Sequence, residues 1–452
     1  MIPKEHQWRY IFHMTDIRNL DSIIKNGLLS TNNKQKRGFE HKNIANLKIQ
    51  ERRDTKDIPC GPKGKLHDYV PFYFSSMNPM LLGVINSKNY DQPLIIYLCM
   101  KIQRLEKDDA VFSKASLNTS EDPEIYDDCE KLSELNWELI DSRKWSFKDD
   151  NDRHQKMAEA LIKDKVAIEE IDAIVVYNEF IKNIVENIFK KNNIKPPKIC
   201  YSFGLDIHKQ YAFYYTKFFL NNNQKKSTLV TGPIMLYKDY KHLLKIIKKK
   251  RTEAKTFNYT TLSNFINAID NKFDCIKELE GIKGLQTSNA AHKEDVGTHT
   301  KNVVNEIRKI YTDFSEEDKK ILVIAAYLHD IGKGPKNKWK DGIQLPYPDH
   351  PADAIPMLER ILSEEITEIS DDDIRKICML VVYHDIVGDC ICKGRDKEQI
   401  SKIISNGNDL DLLITIALAD TKTINTTWYQ NILYTRKGFK EDILHMLGLL
   451  HG

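Results

Sequence analysis

No apolar run in this chain of 452 residues approaches the roughly 20 that a membrane-spanning helix needs; Leu94-Ile95-Ile96-Tyr97-Leu98-Cys99-Met100 is typical of the longest. The opening Met1-Ile2-Pro3-Lys4-Glu5-His6 lacks an apolar core for a secretion signal. The eight cysteines are scattered and form no C-x-x-C pair, which excludes a disulfide scaffold and reads as reduced cytoplasmic thiols. Excess charge of one sign is also missing. Lys+Arg 68 against Asp+Glu 65 leaves +3, too balanced to argue for a polyanionic partner on charge alone. There is no G-x-G-x-x-G and no Walker motif, so neither a Rossmann nor a P-loop nucleotide site is available. What is there is ordinary globular material, 41% hydrophobic and 29% charged, in a chain long enough for two domains or more.

From Trp8 to about Phe218 short strand-like runs alternate with helical stretches. Tyr10-Ile11-Phe12, Val70 to Phe74, Leu94 to Met100 and Ile174 to Tyr177 read as strands. A helix is expected from Leu20 with Gly27 as its stop, and another from Glu179 to Asn192 with Phe180, Ile184 and Ile188 on its apolar face. The polar, acidic stretch from Lys114 to Asp152 reads as a long loop. This pattern predicts an α+β domain over residues 1–218. Residues 219–256 break the rhythm and are expected to form a basic linker. Between Lys225 and Lys255 ten basic residues face only Asp239 and Glu253, and the run from Lys238 to Arg251 is helix-like. A solvated connector is the plainer reading; a patch that follows a polynucleotide's phosphates is the sharper one. Residues 257–452 keep a helical period throughout, which predicts an all-α domain.

In that third part His299, His329-Asp330 and Asp420 each sit on or at the end of an apolar helical stretch, with His350 and His384-Asp385 falling between them. Adjacent helical residues point about 100° apart, so His329 and Asp330 can serve one ion only where the helix ends. Gly332 and Gly334 provide that end. Imidazole and carboxylate donors together suit a borderline or hard divalent cation, and a shared carboxylate can bridge two ions. A lone His-Asp dipeptide is more often structural than ligating. The ordered set H…HD…D, with Leu328-His329-Asp330-Ile331-Gly332-Lys333 at its centre, resembles the HD-domain metal-dependent phosphohydrolases. The resemblance implies that His299, His329, Asp330 and Asp420 bind a first metal, and that His350 and His384 match the additional histidines of binuclear members. It also implies that Lys333 lies near a substrate phosphate. The metal could be Mn, Fe, Mg, Ni or Zn, and the expected substrate is a phosphorylated nucleotide.

The N-terminal part carries four separated blocks: Tyr10 to Thr15 running into Asn19 to Ser30, Leu47 to Arg53, Asp68-Tyr69-Val70-Pro71-Phe72-Tyr73-Phe74, and Arg153 to Ile162 with Gln155-x-x-Ala158-Glu159-x-Leu161. Taken singly they are unremarkable, because Glu159 would pass as a surface residue and His13 as a satisfied core histidine. In this order, across residues 8–205, they resemble the DarT family of DNA ADP-ribosyltransferases. That family uses NAD to place ADP-ribose on a base of single-stranded DNA, thymine in one branch and guanine in another, on a fold of two small twisted sheets around a cleft. The resemblance implies that Glu159 is the catalytic glutamate. This also fits the chemistry, since breaking the nicotinamide–ribose bond builds positive charge that a fixed carboxylate stabilises. Arg52 or Arg53 matches the catalytic arginine; Arg52 is preferred, but the spacing does not separate the two. His13, Met14 and Thr15 are expected at the nicotinamide, with Ser22 and Ser30 near the rest of the dinucleotide.

Together these readings predict an α+β ADP-ribosyltransferase-like domain followed by an all-α HD domain, in a cytoplasmic enzyme with no membrane partner. The expected activity is NAD-dependent modification of a base in single-stranded DNA, thymine favoured, with a metal-dependent phosphohydrolase or regulatory domain and a toxin or phage-defence role that implies an antitoxin. The competing readings are a nucleic-acid-binding or nucleotide-sensing protein with vestigial sites, or a transferase acting on RNA or protein.

Overall fold

The run at residues 94–100 does not alternate between apolar and polar, and a strand so composed must be covered on both faces. In the computed structural model it forms the strand Ile95–Lys101, buried from Ile95 to Met100 and exposed only at Lys101. Residues 1–44, 47–119, 122–142, 144, 147–200, 230–253, 256–291, 293–346 and 349–448 are described. The chain divides into two compact units, residues 1–86 with 90–218, and residues 87–89 with 219–452.

The first unit is built on a mixed eight-stranded sheet. Its order is Lys198–Cys200, Ala173–Val175, Ile95–Lys101, Tyr10–Asp16, Tyr69–Tyr73, Glu159–Lys163, Ala110–Ser113, Ile125–Tyr126. Tyr10–Asp16 pairs with Ile95–Lys101 along its whole length but meets Tyr69–Tyr73 at one position, Phe12 opposite Tyr73. The two separate sheets implied by the family resemblance are thus two four-stranded halves of one sheet, joined at a single pair. Leu20–Asn26 and Glu179–Lys191 are helical, as the periodicity predicts. Gly27 closes the first with a positive φ, and a Cβ there would lie 2.9 Å from the Val166 carbonyl oxygen. The apolar face of the second is turned from the expected one. Ile181, Val185 and Phe189 are buried, Ile184 and Ile188 flank them, and Phe180 is 69% exposed.

The segment read as a loop from Lys114 to Asp152 is instead packed. It contains the helix Trp137–Asp141 and the start of Asp150–Lys156, and it buries Leu117, Leu132 and Ile140. Polar composition concealed it, because short elements bury one or two residues each.

The second unit is mostly helical. Glu316–Leu328, Asp371–Val382 and Gly407–Ile424 form its centre and bury nearly all their apolar residues. Two minor parallel strand pairs accompany them, Tyr259–Thr261 with Ile366–Glu368 and Gln286–Thr287 with Ile343–Gln344. The basic stretch is no solvated connector. Within it Pro233–Glu253 is one helix whose Leu236, Tyr240, Leu243 and Ile247 enter this unit's core. Arg251 donates to the carbonyls of Leu362, Ile366 and Thr367, and Lys248 and Lys250 pair with Asp371 and Glu359. Lys241 and Lys245 remain exposed. The rest of the basic window, Asn221 to Lys226 and Lys255, lies outside the described residues. All eight cysteines are free, and among the described residues no helix is long and apolar enough to cross a membrane.

Candidate functional site

In the second unit, six ligand-type side chains reach one point from five places in the sequence. His299 lies in the helix Val296–Ile310, whose first turn is capped by Asp295 accepting the Gly297 and Thr298 N–H groups. His329 caps the C-terminus of Glu316–Leu328 and Asp330 follows it, while Asp420 lies in Gly407–Ile424. His350 opens a short helix, and His384 follows Asp371–Val382. Gly332 permits their convergence, since a Cβ there would stand 1.9 Å from the His350 carbonyl oxygen. Only glycine lets the His350 segment lie so close to the His329-Asp330 turn.

The donor atoms form two triads, His299–His329–Asp420 and Asp330–His350–His384, each within 4.8 Å. Asp330 joins them, with Oδ2 3.4 Å from His329 Nε2 and Oδ1 3.5 Å from His350 Nε2. His329 and His384 donate through Nδ1 to the Ala326 and Val381 carbonyls at 2.8 and 2.9 Å, which leaves each Nε2 with its lone pair inward. His299 Nε2 lies 3.3 Å from that of His329, and His350 Nε2 lies 3.2 Å from that of His384. Ring nitrogens facing each other so closely need a cation or a proton between them. Asp420 Oδ1 is 3.0 Å from His299 Nε2 but accepts no properly directed hydrogen bond, and buried Asp330 Oδ1 likewise has no hydrogen-bond partner. Burial opposes the Asp330 charge, yet Lys333, 2.6 Å away, and His329 hold its carboxyl well below the usual range. Burial and the Lys333 charge push His350 down to about 3, so it is a neutral ligand at ordinary pH. This donor set fits one or two divalent ions, with Asp330 placed to bridge.

In the first unit Glu159 begins the strand Glu159–Lys163 and is wholly buried. Arg53, from the helix Leu47–Asp54, meets it with a two-pronged bond of 2.9 and 2.8 Å, and the Leu117 N–H donates to Oε1 at 2.9 Å. The Glu159 N–H donates to Ser113 Oγ at 3.1 Å, which fixes the backbone beneath the carboxylate. Burial works against the Arg53 charge, but the facing Glu159 carboxylate outweighs it and raises the guanidinium's pKa. Tyr73 stands directly opposite Glu159, so the two share a face, and burial with the Glu159 charge raises its phenol pKa.

The structure therefore brings Arg53, not the preferred Arg52, to Glu159; Arg52 is exposed. His13 is seated with Nδ1 2.7 Å from the Pro71 carbonyl, and burial brings its pKa down to about 4. Met14 is buried beside it in the strand. Thr15 Oγ1 accepts from Asn19 at 3.0 Å, Ser22 Oγ from Asn26 at 3.4 Å, and Ser30 Oγ from the Asn33 N–H at 3.3 Å as a helix cap. Sequence reasoning passed over Tyr73, Ser113 and the Leu117 amide. Tyr73 lay inside a quoted block without being singled out, Ser113 borders a stretch read as loop, and Leu117 lies within that stretch.

Comparison with known proteins agrees with this division. Residues 12–203 match the family described as ssDNA thymidine ADP-ribosyltransferase, DarT, and residues 296–389 match the HD domain. A protein of Thermus sp. (strain 2.9) named DNA ADP-ribosyl transferase is 31% identical over 195 residues, 42% of this chain and 92% of that protein. The solved structure of Thermus sp. 2.9 DarT with ADP-ribosylated ssDNA aligns at 31% identity and a TM-score of 0.40, covering 44% of this chain and 96% of that one. The same protein with NAD+ aligns at 28% identity and a TM-score of 0.39 over the same shares.

Proposed function

The chain belongs to the DarT family through its N-terminal unit, and on that premise we propose that it transfers ADP-ribose from NAD to a base of single-stranded DNA, with thymine favoured over guanine. The observation that carries this is the buried Glu159, held by the Arg53 fork and the Leu117 amide. As the nicotinamide leaves with the bonding pair, positive charge spreads over the ribose carbon and ring oxygen. A carboxylate fixed in a dry site stabilises that charge without having to reorganise. A base atom then supplies the new bonding pair and gives up its proton. Unpaired bases present such atoms freely, whereas a duplex hides them in its stack.

For the second unit we propose a metal-dependent phosphohydrolase acting on a phosphorylated nucleotide. His299, His329, Asp330, His350, His384 and Asp420 would hold the metal, which lowers the pKa of a bound water and screens phosphate charge. Lys333, paired with Asp330, would meet the substrate phosphate. The pairing of a DNA-modifying unit with a phosphate-cleaving one supports a toxin or phage-defence role, with an antitoxin as a partner.

Labelled NAD with single-stranded DNA, duplex DNA, RNA or protein tests the first part. Wild-type protein should label single-stranded DNA, and Glu159→Ala should abolish the label while the fold is kept. Labelling by that variant at the wild-type level would end the proposal. Metal analysis tests the second part, since His329→Ala with Asp330→Ala should empty a centre that in wild-type holds one or two ions.

A further inference from the structure

Five of the six ligand-type side chains in the second unit stand in or directly after helices of 12 to 18 residues: Val296–Ile310, Glu316–Leu328, Asp371–Val382 and Gly407–Ile424. Elements of that length, packed into a core, fix a side chain before any ion arrives. His350 is the exception. It opens a helix of four residues, His350–Asp353, in which only Pro351 is buried. A single turn is too short to hold its own place, so this ligand has to be seated from outside.

Two ties seat it. One is the close approach of the His350 carbonyl to Gly332. The other acts on the preceding residue. Asp349 begins the short helix, its carbonyl accepting the Asp353 N–H at 3.1 Å. Thr231 takes both oxygens of the Asp349 carboxylate: its N–H donates to Oδ1 at 2.8 Å and its hydroxyl to Oδ2 at 3.1 Å. Two donors from one residue set the plane of a carboxylate as well as its distance. Asp349 and His350 are consecutive, so what fixes one fixes the other. Thr231 itself lies two residues ahead of Pro233–Glu253, in the stretch of sequence that follows the first unit.

We propose that Thr231 is a positioning residue for one of two metal positions, the triad Asp330–His350–His384, and acts on it through Asp349. This assignment rests on the metal-centre reading above. The other triad, His299–His329–Asp420, has a support of its own. Thr423 lies in the same helix as Asp420, donates its hydroxyl to the Asp420 carbonyl at 2.8 Å and has Oγ1 3.2 Å from His299 Nδ1. One position is therefore prepared from within the long helices, and the other depends on the stretch through which the chain enters the second unit. An ion in the second position is held tightly only while Thr231 grips Asp349.

The experiment titrates the metal-free full chain with Mn2+ by calorimetry and follows pairing of the ions by electron paramagnetic resonance. Wild-type should take up two ions and show a spin-coupled signal. Thr231→Val keeps the shape and the N–H but removes the hydroxyl. It should weaken one ion by about tenfold, the usual effect of losing a group that orients a ligand, and leave the other unchanged. The coupled signal should then give way to that of single ions, and Thr231→Ser should restore it. Thr423→Val should weaken the opposite ion. If Thr231→Val holds two ions with wild-type affinity, the proposal is overturned and the metal centre stands; a wild-type that takes up only one ion has the same meaning. Equal weakening of both ions by Thr231→Val overturns it too, because the residue would then support the fold and not one position. No uptake by wild-type ends the metal-centre reading and the proposal with it.

Discussion

Arg52 and Arg53 are chemically identical neighbours, and on a helix their side chains leave the axis about 100° apart. Only one can enter the cleft. The structure sends Arg53 inward, 9% exposed in its side chain, to the fully buried Glu159, and leaves Arg52 in solvent. The sequence shows two arginines but not the phase of a helix with little apolar content, so this choice was not legible in it. Glu159 stood out in the block Gln155-x-x-Ala158-Glu159-x-Leu161, and the structure buries it against Arg53. Arg53→Gln should reduce DNA labelling by about a hundredfold or more, since it removes a two-pronged contact to the group that stabilises charge. Arg52→Gln should leave labelling within about threefold. Initial rates for the two variants check this, and equal losses would refute the assignment. Arg53→Lys should behave like Arg53→Gln, because an ammonium cannot reproduce the fork.

The helix Pro233–Glu253 shows how charge can mislead a reading of whole elements. Its lysines dominate the composition and suggest a connector, yet Leu236, Tyr240, Leu243 and Ile247 recur at helical spacing and are all buried in the second unit. Leu243→Ala should cost about 2–5 kcal/mol, the usual range for a buried leucine. Urea unfolding of the second unit reads this directly, and a shift near zero would mean the helix is a connector after all. The opposite error arose at Glu179–Lys191. There the i, i+4, i+8 apolar residues gave the element correctly, but a second apolar row one position along, led by Ile181, takes the deepest place. Periodicity fixes that a face exists; tertiary packing decides which of two adjacent rows leads.

Across the whole molecule the order of the two domains was legible because His, Asp and Glu in an ordered series stand out against apolar helical and strand stretches. What a sequence cannot display is convergence. The six ligand-type residues of the second unit span residues 299 to 420, and the close approach at Gly332 that seats His350 appears only in three dimensions. Each unit also has a hydrophobic core of its own. Metal should therefore raise the unfolding temperature of the second unit and leave that of the first unchanged, because an ion stabilises only the fold that binds it. Calorimetric scans with added Mn2+ and with chelator check this, and the shift should vanish in His329→Ala with Asp330→Ala. A matching rise in both transitions would contradict it.

The single Phe12–Tyr73 pair has a mechanical consequence. One rung between two four-stranded ladders is a pivot rather than a weld. Rotation about it leaves the hydrogen bonds inside each ladder intact, including the seven matched positions between Tyr10–Asp16 and Ile95–Lys101. Parting the strand that bears His13 from the strand that faces Glu159 would break little backbone pairing, the Phe12–Tyr73 rung, together with the bond from His13 to the Pro71 carbonyl. A joint of one rung lets the two ladders adjust to one another while each keeps its own hydrogen bonds.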